Sequence, residues 1–310
     1  MKKGAKFITS ALTSLVLVGA FLAAAAGSAS AAPLECFGKK PTIVGTNGAD
    51  VLKGTAEVDV IVGRGGDDKI TALGGDDWIC GGSGRDKLYG GPGRDFFSGG
   101  TGNDQLFGQA GDDVLWGELG DDTYDGRGSG WDVAWFSHAP NGVRADLSTG
   151  EATGEGSDRL IGIEALTGSR FDDTLVGDRG VNQIEGLEGD DAIDGGGGLQ
   201  DDVSYWHSTG PVTVDLTAGS ATGGEGTDTL TGIETVNGGM FDDTLTGDAN
   251  PNHMWGWDGN DTISSLDGDD NVYGMEGNDT IDAGNGTDLV DGGSGSDSCL
   301  NGEDVQRCES

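Results

Sequence analysis

An aspartate recurs every nine residues in the first third of the chain, with glycines before it and a large apolar residue two positions after it. From Gly45 the sequence divides without gaps into nine nonapeptides that end at Asp125, the fourth of which reads ALGGDDWIC. The sixth position is aspartate in all nine, namely Asp50, Asp59, Asp68, Asp77, Asp86, Asp95, Asp104, Asp113 and Asp122. Carboxylates repeated at one phase can bind hard cations, which prefer oxygen ligands.

The residues around each aspartate indicate the elements that position it. Glycines permit a tight turn with exposed carbonyl oxygens over the first six positions. The last three positions alternate as in a β-strand, with the large eighth residue pointing inward. We expect two nonapeptides to form one coil, so that the turns of repeats n and n+2 stack about 4.8 Å apart. Their carboxylates and carbonyls then converge on one gap, which suits calcium better than magnesium or a softer metal.

The period returns twice after the first block. It resumes at Gly168 and again at Gly238, with aspartates at the sixth position in Asp173, Asp191, Asp243, Asp261, Asp270, Asp279, Asp288 and Asp297. Asn182 and Asn252 replace the aspartate in two units, where we expect weaker binding because a carboxylate is lost. Pairs n and n+2 give seven possible calcium gaps in the first block, one in the middle block and five in the last.

These nonapeptides match the pattern G-G-x-G-x-D-x-U-x, and the sequence resembles the RTX, or hemolysin-type, calcium-binding repeat proteins. The resemblance implies an all-β, right-handed parallel β-roll or β-solenoid with calcium in the turns. In many relatives the repeats follow a catalytic or pore-forming domain. Here they begin within 15 residues of the expected mature start, so we expect a stand-alone repeat protein.

Between the blocks a longer unit occurs twice, starting at Trp131 and at Asp201 and offset by about 70 residues. Its alternating stretches predict further strands, and we expect wider coils over 126–167 and 201–237 within one solenoid that also contains roll blocks over 45–125, 168–200 and 238–300. Residues that could act as acids or bases in the two copies are His138, Asp146, Glu151, Asp158, His207, Asp215 and Asp228. They show no known catalytic spacing, so the sequence favours a structural unit over a glycan-processing enzyme.

The net charge and the amino-terminal sequence indicate where the protein is located and which classes of partner it can bind. Lys2, Lys3 and Lys6 precede an apolar run and the small residues Ala29–Ala31, which predicts a signal peptide over 1–31 and a secreted, extracellular protein. Removing these residues takes away three lysines and no acid, leaving 14 basic and 54 acidic residues and a net charge of −40. Such a charge argues against nucleic acid or membrane insertion, and it favours cations as partners.

Four cysteines lie near the two ends of the exported part, where disulfides persist. We expect Cys36 to bond to Cys80 and Cys299 to Cys308 within a tail at 301–310, although the spacing allows other pairings. The outward positions near Cys80 include Trp78, Phe96 and Trp116, which form an apolar strip. Either the segment 32–44 covers this strip, or the strip binds a protein or polysaccharide partner.

The sequence therefore predicts a secreted calcium-binding protein that folds when calcium loads its turns, and it favours no enzymatic activity. The alternative is a calcium-dependent adhesion, matrix or glycan-binding protein.

Overall fold

The computed structural model describes residues 35–308, and throughout these residues the chain forms only strands and turns. The predicted signal peptide, residues 32–34 of the amino-terminal segment and residues 309–310 of the tail lie outside the described residues. No helix capable of crossing a membrane is found between residues 35 and 308.

The strands are short and follow the nonapeptide period. In chain order they are β1 (Ile43–Val44), β2 (Val51–Lys53), β3 (Val60–Gly65), β4 (Lys69–Thr71), β5 (Trp78–Ser83), β6 (Lys87–Pro92), β7 (Phe96–Thr101), β8 (Gln105–Ala110), β9 (Val114–Leu119), β10 (Thr123–Asp125), β11 (Val133–Trp135), β12 (Arg144–Asp146), β13 (Glu151–Thr153), β14 (Ser157–Ile161), β15 (Ala165–Thr167), β16 (Thr174–Val176), β17 (Gln183–Glu185), β18 (Ala192–Asp194), β19 (Asp202–Ser204), β20 (Val212–Asp215), β21 (Ser220–Gly223), β22 (Gly226–Thr231), β23 (Thr235–Gly239), β24 (Thr244–Thr246), β25 (His253–Asp258), β26 (Thr262–Ser264), β27 (Asn271–Glu276), β28 (Thr280–Asp282), β29 (Leu289–Ser294), β30 (Ser298–Leu300) and β31 (Asp304–Gln306).

These strands form two sheets that run the length of the described chain. The first sheet has 14 strands in the order β1-β3-β5-β7-β9-β11-β15-β17-β19-β23-β25-β27-β29-β31. The pairings of the second sheet run in one line, β2-β4-β6-β8-β10-β14-β13-β12-β16-β18-β22-β21-β20-β24-β26-β28-β30. Within each nonapeptide block, consecutive strands alternate between the sheets. The fold is thus the predicted all-β parallel solenoid.

The core is a single layer of side chains between the two sheets. In the first sheet, Ile61 pairs with Ile79, and Ile79 with Phe97, in a register of 18 residues. Ile70 and Leu88 pair in the same way in the second sheet. All five are fully buried. Each nonapeptide therefore supplies one inward side chain at its eighth position, as the pattern predicted.

The two longer units contain an element that the sequence analysis did not predict. In the first, β12, β13 and β14 pair antiparallel, and in the second β20, β21 and β22 do so. Glycines with positive φ at the strand connections, Gly150, Gly154, Gly219 and Gly223, let the chain turn back sharply. The units therefore fold as three-stranded meanders inserted in the second sheet, whereas the first sheet continues past them with parallel strands.

The amino-terminal segment packs on the outer face of the first sheet. Cys36 is bonded to Cys80, with 5.9 Å between their Cα atoms. The Phe37 ring lies 4.9 Å from that of Trp116, and the Lys39 ammonium lies 4.1 Å from the Trp78 ring centroid. The amino-terminal segment of the chain itself therefore covers the apolar strip. The alternative had assigned this strip to a protein or polysaccharide partner. The second predicted disulfide, Cys299–Cys308, joins β30 to the tail.

Candidate metal centres in the turns

The sixth-position aspartates lie at the turns that lead into the strands. All of them are buried except Asp50, which is half-buried. Those that precede strands of the first sheet form one row, with Asn182 and Asn252 in it: Asp59, Asp77, Asp95, Asp113, Asp270 and Asp288. Those that precede strands of the second sheet form another: Asp50, Asp68, Asp86, Asp104, Asp122, Asp173, Asp191, Asp243, Asp261, Asp279 and Asp297.

Hydrogen bonds join successive aspartates along each row. The main-chain N–H of Asp50 donates to Oδ1 of Asp68 at 2.7 Å, and that of Asp77 donates to Oδ1 of Asp95 at 2.9 Å. The same bond recurs near the end of the chain, from Asp279 N–H to Oδ1 of Asp297 at 2.9 Å. In most of these aspartates one carboxylate oxygen thus fixes the stacking of two coils.

The second oxygen, Oδ2, has no hydrogen-bond partner in most of these buried aspartates. The group is Asp68, Asp77, Asp86, Asp95, Asp104, Asp113, Asp122, Asp191, Asp243, Asp261, Asp270, Asp279, Asp288 and Asp297. A buried carboxylate oxygen without a partner is costly, because it has lost its hydration. A bound ligand along this row would offset that cost.

In several repeats a carbonyl oxygen of the next coil and this free oxygen both lie close to the first-position glycine. A Cβ atom placed on Gly63 would lie 2.3 Å from Asp68 Oδ2 and 2.5 Å from the carbonyl oxygen of Gly81, one coil further on. A Cβ on Gly274 would lie 2.2 Å from Asp279 Oδ2 and 2.5 Å from a carbonyl of the next coil. Carboxylate and carbonyl oxygens thus line a small space that any side chain would fill.

Most of the carboxyl groups in the rows have a raised pKa, so they hold protons more tightly than an exposed aspartate does. Burial is the main cause, and the neighbouring carboxylates add to it: together they raise the pKa of Asp95, Asp122 and Asp191 to about 8. The pKa is raised to about 7 for Asp104 and Asp113. At neutral pH these side chains therefore need either a proton or a cation.

The donor set fits calcium. Among residues 35–308, no three histidine, cysteine, aspartate or glutamate side chains are grouped so as to hold a metal. A cation in these turns must consequently combine carboxylates with main-chain carbonyls, and calcium accepts both in flexible geometry with six or more ligands. The free Oδ2 atoms of the rows are the oxygens that could be such ligands, whereas Oδ2 of Asp50, Asp59 and Asp173 accepts a main-chain N–H instead.

Seven further acidic residues extend the two rows through the inserts and to the carboxyl end. They accept the same main-chain bond and are Asp132, Asp158, Glu164, Asp201, Asp228, Glu234 and Glu303. The nonapeptide spacing missed them because the inserts break the period. A comparison of the two copies could have found Asp158, Glu164, Asp228 and Glu234, since both copies contain GIE directly before a strand and GEG followed by Ser-Asp or Thr-Asp.

The register of the two copies also needs correction. Asp132 and Asp201 occupy the same place, because each accepts the N–H of the residue one coil earlier, Asp113 or Asn182. The early part of the unit is therefore offset by 69 residues, and the offset has become 70 by Glu155 and Glu225.

The residues considered for catalysis are spread over the structure. Asp146 and Glu151 face each other across β12 and β13, whereas the exposed His138 follows β11 in the other sheet. His207 instead contacts Glu185, with 2.8 Å between Nδ1 and Oε1, a pair that no sequence spacing indicated.

Restoring an aspartate at position 252 is expected to strengthen calcium binding. The Asn252 side chain is fully buried, and its Nδ2 has no partner where neighbouring repeats present a free carboxylate oxygen. At about 1 mM calcium, Asn252→Asp should raise the free energy of unfolding by about 0.4–1.4 kcal/mol, the contribution of one site of millimolar affinity. In excess chelator the same substitution should lower the free energy of unfolding, since the variant buries one more charge.

Denaturant unfolding with and without calcium checks this prediction. The matched control is Asn47→Asp, which makes the same charge change at an exposed turn residue and should give no calcium-dependent gain. Equal stability of Asn252→Asp and the unchanged protein in calcium would contradict the assignment of this turn.

The comparisons with known proteins agree with this geometry. The RTX calcium-binding nonapeptide repeat family matches residues 42–68, 53–88, 89–124, 167–198, 237–271 and 264–299, which together make up more than half of the chain. No curated protein matches the sequence.

Proposed function

Because the chain belongs to the RTX calcium-binding nonapeptide repeat family, we propose that it is a secreted protein whose folding is controlled by calcium outside the cell. The observation that supports this most is the row of buried, unpartnered Oδ2 atoms, several of them beside a carbonyl oxygen of the next coil. Sites with a dissociation constant of about 0.1–1 mM would be empty at low calcium and filled at millimolar calcium. The chain would then be exported unfolded and would fold on arrival.

Export through a cleaved amino-terminal signal is supported by the sequence of residues 1–31 and by the two disulfides. Cys36–Cys80 and Cys299–Cys308 hold the two ends of the described chain, and such bonds persist in oxidising compartments. We propose that the roll folds after secretion and that calcium is its partner. Its activity is then binding and not catalysis.

Expression of the full gene in a bacterial host tests the secretion part. We expect a chain beginning at Ala32 in the medium or outside the inner membrane, identified by amino-terminal sequencing. A matched version that lacks residues 2–31 should stay in the cytoplasm. Retention of the full chain in the membrane with residues 1–31 still attached would contradict a cleaved signal.

The adhesion or glycan-binding alternative depended on a bare apolar strip around Trp78, Phe96 and Trp116. The contacts of Phe37 and Lys39 now account for that strip within the chain itself. The calcium-dependent fold is therefore the function that the geometry supports best.

A further inference from the structure

The outer face of the second sheet carries a group of basic side chains, although the chain as a whole is strongly acidic. Lys53, Lys69 and Lys87 occupy outward positions of β2, β4 and β6, the first three strands of this sheet, and all three are exposed. Lys69 and Lys87 are direct cross-strand partners, and like charges in this position repel each other. The ion pairs within residues 35–308 involve other side chains, so no carboxylate of the described chain forms an ion pair with these lysines.

The opposite end of the same sheet carries the complementary charge. A cavity of about 440 Å³ lies where β24, β26 and β28 end, and its lining includes Asp248, Asp267 and Asp282. Amide groups hold two of these carboxylates in place: Asn285 Nδ2 donates to Asp267 Oδ1 at 2.8 Å, and Asn301 Nδ2 donates to Asp282 Oδ1 at 2.6 Å. Because these donors are neutral, the cavity keeps its negative charge.

The basic group and the acidic cavity lie at matching distances from the two ends of the sheet. The sheet has 17 strands, and its pairing order places β16 in the centre. β4 is the second strand from one end and β28 is the second from the other. β6 and β26 are likewise the third strands from the two ends. A reversal of the sheet about β16 therefore exchanges the basic group with the acidic cavity.

A second copy of the chain can satisfy both groups at once. When two identical faces meet, the two-fold axis lies in the interface and runs either along the solenoid or along the strands. An axis along the solenoid places the lysines of one copy against those of the other, where they repel. An axis along the strands reverses one copy, so that Lys69 on β4 faces Asp282 on β28 of the second copy. Every contact then occurs twice, as in a closed dimer.

Two further positions agree with the reversed arrangement. Tyr89 on β6 is stacked on Phe107, with 4.7 Å between ring centroids, and it faces β26, after which Leu266 lines the cavity. Arg144 lies on β12, the eighth strand from one end, and it faces β18, the eighth from the other, which ends at Asp194. The arrangement thus places an aromatic side chain against an apolar one and a further cation against a carboxylate.

The outer face of the second sheet is large enough for a stable dimer. Strands about 4.8 Å apart make a sheet of this size about 80 Å long, and three-residue strands make it about 10 Å wide. The resulting area, about 800 Å² per partner, is that of a standard protein–protein interface. Apart from Asp282, the outward residues of β24, β26 and β28 are threonine and serine, which add no like charge to the contact.

We propose that the calcium-loaded protein is an antiparallel homodimer formed by the outer faces of the second sheets of two copies. Lys53, Lys69 and Lys87 of each copy lie against the acidic cavity of the other. Bound calcium is required because it lowers the negative net charge, which otherwise keeps the copies apart. The inference goes beyond the proposed function, since folding on calcium needs no second copy.

Sedimentation equilibrium of the chain in millimolar calcium tests the proposal. The mass should be twice that of one chain and should fall toward that of a monomer as salt is added, since salt screens surface charges. Lys69→Glu/Lys87→Glu should weaken the dimer at least about a hundredfold, because each reversal is present in both copies. Lys40→Glu/Arg64→Glu reverses two exposed charges outside the second sheet and, as the matched control, should leave the mass unchanged.

A mixture of variants distinguishes lost contacts from lost folding. Asp267→Lys/Asp282→Lys should also be monomeric on its own, because it places lysines against lysines. Mixed with Lys69→Glu/Lys87→Glu, it should form heterodimers, because the exchanged charges attract at one end and the unchanged residues attract at the other. Two variants with a full strand signal in calcium that remain monomeric when mixed would overturn the proposal.

Cross-linking of the unchanged chain needs no variant. Copies labelled with light and heavy nitrogen are mixed in calcium, and a carbodiimide joins lysines to carboxylates in contact with them. We expect cross-links from Lys69 or Lys87 of one copy to Asp267 or Asp282 of another. A monomer in calcium, a dimer without these cross-links, or a monomer that binds dextran sulfate through Lys69 and Lys87 would overturn the inference.

Discussion

Chelation of calcium is expected to convert the roll into a largely unfolded chain. The core offers one inward side chain per nonapeptide, such as Ile79 or Leu88, whereas ordering a residue costs about 1–2 kcal/mol. Apolar burial of this size does not offset that cost. The buried, mutually repelling carboxylates of the aspartate rows oppose folding further when no cation is bound.

Calcium supplies the missing free energy through many weak sites. A site with a dissociation constant of about 0.1–1 mM contributes roughly 0.4–1.4 kcal/mol at millimolar calcium. Summed over about a dozen turns this is on the order of 10 kcal/mol, as large as the net stability of a typical domain. We therefore expect folding and calcium loading to occur together.

Far-ultraviolet circular dichroism in excess chelator, followed by addition of calcium, measures this effect. The strand signal should be lost in chelator and restored by millimolar calcium. Magnesium at the same concentration is the control and should restore little, since it demands near-octahedral geometry and keeps its waters. A full strand signal in chelator would show that the side-chain core and the disulfides suffice.

Acid is expected to replace calcium in part. In the calcium-free fold the pKa of Asp95, Asp122 and Asp191 is raised to about 8, mainly by burial, whereas an unfolded aspartate titrates near 4. Because the folded pKa lies above the unfolded value, protonation favours the folded state. The stabilisation is complete below about pH 4, falls progressively as the pH rises above that value, and is lost once the pH has risen through about 8.

The chain in chelator should thus regain strand structure as the pH falls from about 8 to 5. When calcium is present, acid should instead weaken calcium binding. Half-saturation should require more calcium at pH 5 than at pH 8, because protons and calcium compete for the same carboxylates. Circular dichroism at a series of pH values, with and without chelator, measures both. A chelated chain that is equally unfolded at pH 5 and pH 8 would contradict the burial of these groups.

The repeated part of the fold could be predicted from the sequence because each nonapeptide makes its own turn and strand. The positions of the aspartates and of residues such as Ile79 within the nonapeptide predicted which residues lie in turns and which point inward. No information from distant parts of the chain was needed. Local periodicity and the stacking distance of strands were sufficient for these features. The disulfide between Cys36 and Cys80 was favoured because both cysteines lie near the same end of the exported chain, and the structure contains it.

The inserts could not be predicted in the same way, because their structure depends on contacts between segments without a period. The antiparallel meanders arise where Gly154 and Gly223 turn the chain back, and glycine is too common in this sequence to mark those turns. Asp132 and Glu164 join the aspartate row only through stacking across 19 and 32 residues. The contact of His207 with Glu185 likewise joins residues 22 positions apart in different coils.

Calorimetric titration of the calcium-free chain with calcium tests the central claim most directly. If the aspartate rows are calcium sites, the titration should show many ions bound per chain, with heat that includes folding and with proton release that depends on pH. The same titration in excess chelator should give no binding signal from the protein. Binding of no calcium, or of only one or two ions with the strand signal unchanged throughout, would contradict the account.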